Sequence, residues 1–150
     1  MARFTFRMAT LLKLRESARD ERQAKLVQAR QAADILRQQR ETLEQEARRL
    51  DQESRNAVRP GPINVDGLLH ARRYELLLQV QQQDLLQQQQ VVDAELLRRQ
   101  QALVEANREV RVLELLREKQ RARQRDEEAR QEMKEIDEVA QRTGRGEEVA

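Results

Sequence analysis

The chain has no cysteine and no tryptophan, and among its 150 residues only one tyrosine, two phenylalanines, four glycines and two prolines. Without cysteine there are no disulfides, no thiolate metal sites and no cysteine nucleophile. So few aromatics and turn-forming residues exclude a β-sandwich or a Rossmann-like sheet, which draw on β-branched and aromatic strands joined by frequent turns. No apolar run approaches the ~18 residues that mark a membrane-spanning helix. One histidine, His70, cannot build a multi-histidine metal site, and no Ser-His-Asp arrangement surrounds it. The phosphate-binding glycine motifs and the His-Glu-x-x-His metal motif are missing. Neither an enzyme nor a bound cofactor or metal is expected.

What is present is charge and glutamine. Charged residues make up 37% of the chain, with 29 basic against 27 acidic side chains and 21 Gln. A net charge of +2 leaves no global footprint for nucleic acid, and aromatics for base stacking are nearly absent, so no nucleic-acid partner is expected. This composition suits long helices or a disordered chain, and periodicity separates the two. From Leu26, alternating steps of three and four residues meet Ala29, Ala33, Leu36, Arg40, Leu43, Ala47, Leu50, Ser54 and Ala57. A second run is Val92, Leu96, Arg99, Leu103, Ala106, Val110 and Leu113, and a third is Ala122, Asp126, Ala129, Met133, Ile136 and Ala140. A sustained 3.5-residue repeat means helices wound on a partner.

The break is Arg59-Pro60-Gly61-Pro62, three helix breakers in a row. Asn64 or Asp66 can cap the helix that follows, and Gly144 suits a helix C-terminus. The expected organisation is a single all-α domain: helix 8–57, turn 58–66, helix 67–142 and a flexible tail 143–150. A short turn between amphipathic helices favours an antiparallel coiled-coil hairpin. Pairing with another chain is the other way to satisfy the same repeat. With the turn centred on residue 62, residue i faces about residue 124 minus i. Arg40 then lies opposite Asp84, and residues 117–142 form a C-terminal helical overhang without an intrachain partner. Two phase slips are expected, one between the frame of Leu11, Leu14 and Ala18 and that of Leu26, the other between Val110 and Leu115.

Charge is local. Residues 1–30 carry net +5, residues 117–125 net +4 and residues 126–138 net −5. The two basic runs suit either a solvated face or an end that enters an acidic socket. The basic, amphipathic N-terminus is compatible with a transit segment, but it also reads as the start of the coiled coil, and the chain is read as cytoplasmic. The Gln-rich stretch, interrupted by leucines at helical spacing, reads as a polar helix face. Tyr74, beside Arg72 and Arg73, is either core filler or an exposed aromatic anchor of the kind that dominates protein–protein contacts.

The order of these features resembles the FliJ family of flagellar type III export. Phe4-Thr5-Phe6 followed by Leu11-Leu12-Lys13-Leu14-Arg15-Glu16 is similar to that family's opening. So are Arg73-Tyr74 at the start of the second helix, Ala106 to Val110 with Leu113 to Lys119, and Asp137-Glu138-Val139-Ala140. The resemblance covers about residues 3–142 and leaves residues 79–90 unsupported. It implies a stalk-like coiled coil, similar to the central stalk of rotary ATPases, that binds the flagellar export ATPase ring and couples it to the cytoplasmic export gate and to export chaperones. It implies ATPase contacts at Phe4, Phe6, Leu11, Leu12, Leu14, Arg15, Glu16, Arg121, Arg123, Asp137 and Glu138, and gate or chaperone contacts at Tyr74 and Leu78. Attachment to the inner membrane would be peripheral, through these partners and without insertion. The other readings are the equivalent stalk of a virulence-type secretion system and a structural coiled-coil scaffold.

Overall fold

Two α-helices, α1 (Ala9–Ala57) and α2 (Val65–Glu148), account for the architecture. The computed structural model describes residues 3–57, 61–62 and 64–148, with side chains to residue 146. Residues 58–60 and 63 of the expected turn, and residues 149–150 of the expected tail, lie outside the described residues. The fold is the expected all-α class, with the helices packed antiparallel as a hairpin.

Local chemistry sets the described helix ends. Asn64 caps α2: its side-chain oxygen accepts from the backbone N–H of Gly67 at 3.3 Å, and its carbonyl accepts from Leu68 at 3.1 Å. That satisfies donors which the first helical turn leaves without partners. Gly67 makes room for the cap, since a Cβ there would meet the Asn64 side chain at 3.3 Å. Asp66 sits in the first turn, where a negative charge complements the helix dipole. At the other end α2 runs through Gly144 and Gly146, with no glycine in a left-handed conformation among the described residues. A helical glycine costs only about 1 kcal/mol, and no proline follows to enforce a stop.

The contacts divide into two compact units, and each helix contributes to both. One unit is Glu21–Val104; the other joins the residues up to Asp20 with those from Glu105 onward. In the Glu21–Val104 unit, Leu26 and Ala29 are buried, and Ala33, Leu36, Leu43, Ala47, Leu50 and Ser54 are half-buried. The facing positions on α2 are Ala71, Glu75, Leu78, Gln82, Leu85, Gln89, Val92, Leu96, Arg99 and Leu103. Steps of four and three alternate through the whole α2 set, so the 3.5-residue repeat extends through the Gln-rich stretch. There it brings a polar residue inward at every seventh position: Glu75, Gln82 and Gln89. The glutamines are therefore not confined to a solvated face, and Leu76, Leu77 and Leu86 lie exposed instead. The seam, as this line of inward-facing residues is called below, is loosely filled. A cleft of about 420 Å³ opens where Ala47, Ser54 and Ala71 are too small to close it.

Register can be checked on the contacts between helices in this unit. Arg99 reaches across to donate from Nη1 to the backbone carbonyl of Lys25, the position expected opposite it. Tyr74 meets Glu46, about one turn from the expected position. Arg40 does not meet Asp84. Its guanidinium leans toward the turn of neighbours it can reach, bonding Glu44 on its own helix at 3.1 Å and Gln89 at 3.2 Å.

In the other unit the seam continues on α2 with Ala106, Val110, Leu113, Arg117, Gln120 and Gln124. The spacing holds through Val110 and Leu115, so the second expected slip is absent; Leu115 turns outward and glutamines take the inward positions. On α1 it is Leu12 that is buried, at 4% exposure, while Leu14 is 63% exposed. Leu12 and Arg19 are spaced by seven residues, as Leu26 is from Arg19, so the first expected slip is not needed either. The overhang is also shorter at its start than expected. Residues 3–8 lie along α2 and bring Phe4 beside Arg121, so pairing lasts to about Gln124, whereas residues 125–146 are exposed throughout.

Candidate partner-binding surfaces

The terminal surface is built on a small core. Leu12, Val110 and Leu113 cluster, and Phe6 packs against them. Two polar contacts fix the N-terminal residues to α2. The Arg121 guanidinium stands 5.4 Å from the centre of the Phe4 ring, a cation–π arrangement worth about 0.5–1 kcal/mol at an exposed site. Arg15 donates to Glu109 at 2.9 Å, and both side chains are 44% exposed. Solvent screening keeps such a pair to about 0–1 kcal/mol, so it orients more than it stabilises. Among the described residues this is the ion pair that joins the two helices; the others run along a single helix.

The expected contact residues therefore fall into distinct groups. Phe4 and Phe6 are half-buried against α2, and Leu12 is in the core. Leu11 and Leu14 are exposed, with Arg15 engaged by Glu109 and Glu16 half-buried. Arg123 is exposed, and Arg121 is exposed over the Phe4 ring. Asp137 and Glu138 lie on the unpaired part of α2. Residues not singled out in the sequence join this surface. Met8, Val112 and Leu115 are large apolar side chains exposed in the same unit. Their signal was present as large apolar residues outside the repeat.

The second surface lies in the Glu21–Val104 unit. Tyr74 stands outside the seam at 41% exposure, with its hydroxyl donating to Glu46 at 3.2 Å. Arg72 is engaged by Glu75 at 2.7 Å. Leu78 is 2% exposed and sits in the seam, one turn along α2 from Tyr74. Grooves of about 680 and 710 Å³ run over the same unit, lined by Ile35, Gln39, Thr42, Asp84, Gln88 and Val91 among others.

Among the described residues no group of acids and histidines is placed to hold a metal, and no buried side-chain polar atom lacks a partner. Glu95 is held below the ordinary carboxylate value, chiefly by the hydrogen bond from Arg99 at 2.9 Å, with Arg98 helping and desolvation opposing. Both partners lie on α2 one turn apart, so this is an element of structure and not a poised acid. No described helix is long and apolar enough to cross a membrane.

The described residues define a two-helix antiparallel coiled coil with exposed apolar and basic side chains in its terminal unit. The family model described as Flagellar FliJ protein matches residues 4–148, almost the whole chain. The chain belongs to the FliJ family and is a flagellar export-related protein. No curated protein and no solved structure matches it.

Proposed function

We propose that the chain is the stalk-like coiled coil of flagellar export, binding the export ATPase ring through its terminal unit and coupling the ring to the export gate and to export chaperones. The observation that supports this most directly is the combination found there. Met8, Leu11 and Leu14 are exposed in the same unit as Arg123 and the Phe4–Arg121 pair, and residues 125–146 of α2 are exposed throughout. A surface of this kind gains by burial against an acidic, apolar socket. Stimulation of an ATPase then needs only different contact with its conformational states. Tyr74 serves the gate or chaperone contact, with Leu78 buried in the seam one turn away along α2. The working location is cytoplasmic, at the inner membrane through these partners.

The test is ATP turnover by the export ATPase of the same organism with increasing amounts of the chain. Turnover rises with dose for the wild type. It does not rise when Leu11 and Leu14 are both changed to Asp, substitutions at exposed positions that leave helicity intact. Deleting residues 1–16 has the same effect on turnover, at the cost of the Leu12 core. Unchanged stimulation by both variants refutes the assignment of the terminal unit to the ATPase.

A further inference from the structure

The unpaired part of α2 carries an apolar stripe at Ala129, Met133, Ile136 and Ala140, with Met133 59% and Ile136 61% exposed. This stripe does not prolong the seam. Continued past Gln124, the seam's own spacing falls on Glu127, Gln131, Lys134 and Glu138, all polar. The stripe lies two residues further on at each step, a rotation of about 200° around a helix of 3.6 residues per turn. It therefore faces nearly away from the line that pairs with the rest of the chain, and no extension of the N-terminal segment along that line covers it.

We infer that this stripe pairs antiparallel with the same stripe of a second copy of the chain. The flanking charges select the occupant and its direction. In the antiparallel arrangement Met133 of one copy faces Ile136 of the other, and Ala129 faces Ala140. The positions flanking these layers then set Arg130 beside Asp137 of the other copy, and by symmetry Asp137 beside the other Arg130. Among the described residues neither Arg130 nor Asp137 has an ion-pair partner within the chain. The same alignment brings Arg142 to the acidic Asp126–Glu128 end of the other helix. A parallel pair would do the reverse: the flanking positions would set Arg125 against Arg130 and Glu132 against Asp137, two like-charge contacts on each side, which disfavour that arrangement. Four small or medium apolar residues per copy make an interface below the ~1,200 Å² of stable complexes, so the pairing is weak and concentration-dependent. It hides Asp137, which the stalk reading gives to the ATPase, yet its test uses this chain alone and so stands or falls separately from that reading.

The absence of cysteine makes the test clean. The full chain is made as Ala129→Cys and as Ala140→Cys, and the two are mixed at high concentration and oxidised. Antiparallel pairing gives a crosslink between the two variants and little within either alone. Sedimentation velocity on cysteine-free chains supplies the second measurement. Arg130→Asp alone and Asp137→Arg alone each weaken the dimer by about tenfold or more, and the two together restore it, as expected for a pair whose charges are exchanged. Crosslinking of Ala129→Cys with itself would overturn the direction. A chain that stays monomeric at every concentration, or a dimer indifferent to all these substitutions, would overturn the inference and leave the stripe to a different protein.

Discussion

The frame in which the N-terminal leucines pack can be decided by two substitutions. Leu12 is buried with Val110, Leu113 and Phe6, whereas Leu14 is mostly exposed. Leu12→Ala removes three carbons from the core at about 0.8 kcal/mol each, so about 2 kcal/mol is lost. The figure belongs near the low end of the range for buried leucines, because a two-helix seam opens to water and collapses around a missing side chain more easily than a globular core. Leu14→Ala, at an exposed site, changes stability by less than about 0.5 kcal/mol. Hydrogen exchange is the suitable assay, since opening of the unit that holds Leu12 need not unfold the rest. About 2 kcal/mol corresponds to roughly a 30-fold loss of protection, seen in the amides of residues 12–20 and 106–117 and hardly at all around Leu78. Equal effects from Leu12→Ala and Leu14→Ala would refute the packing described here. They would restore the alternative frame of Leu11, Leu14 and Ala18.

Other consequences concern the Glu21–Val104 unit. Asn64→Ala removes the α2 cap and costs about 1 kcal/mol in urea denaturation, with Asn64→Ser close to neutral. Ala71→Leu extends into the cleft beside Ala47 and Ser54 and raises stability by about 1 kcal/mol, measured the same way. Glu95 gives a pH signature. Its folded carboxyl lies below the ordinary value of 4.5, so its contribution is present above that value and is lost as pH falls through the lowered one. Glu95→Gln therefore flattens the acid side of a melting-temperature profile and leaves its alkaline side unchanged. Arg99→Leu replaces a charged seam residue with an apolar one. It raises stability by about 1 kcal/mol while allowing alternative pairings of the helices, read as crosslinks between cysteines placed out of register.

The hairpin was legible because its evidence is redundant. Leu26 to Ser54 and Val92 to Leu113 each repeat the same spacing many times, and the one proline-rich break leaves few ways to pair them. The facing of Arg99 and Lys25, and of Arg15 and Glu109, follows from the break alone. The N-terminus was ambiguous for a local reason. Leu11, Leu12 and Leu14 put an apolar residue on every side of one turn, and only the partner helix selects among them. The contact of Phe4 with Arg121 was hidden because Phe4 precedes α1 and leaves no periodic trace. Inward glutamines at 82, 89, 120 and 124 were missed because a pattern of apolar residues cannot register a seam position that is polar. Gly144 misled because a glycine permits a helix end without requiring one. The surfaces were less legible than the fold. Sequence pattern separates inside from outside only where the repeat holds, so it offered no check on Leu12 and Leu78, which the family resemblance gave as contacts and which are buried.

These polar intrusions bear on how such a protein works. Seven apolar residues are buried, and no described side chain is fully enclosed. A seam of this kind cannot hold its register by hydrophobic burial alone, because sliding one helix by a heptad would exchange one alanine or leucine for another at little cost. Arg99, Gln89 with Arg40, and Glu109 with Arg15 break that degeneracy, since each has its partner in one alignment only. Such contacts contribute little net stability, yet a slipped alignment leaves each of them without its partner. If the terminal unit and the Tyr74 surface meet partners as proposed above, the alignment of the helices decides which side chains stand together on each surface. Register therefore matters more here than depth of burial, and the polar seam residues supply it.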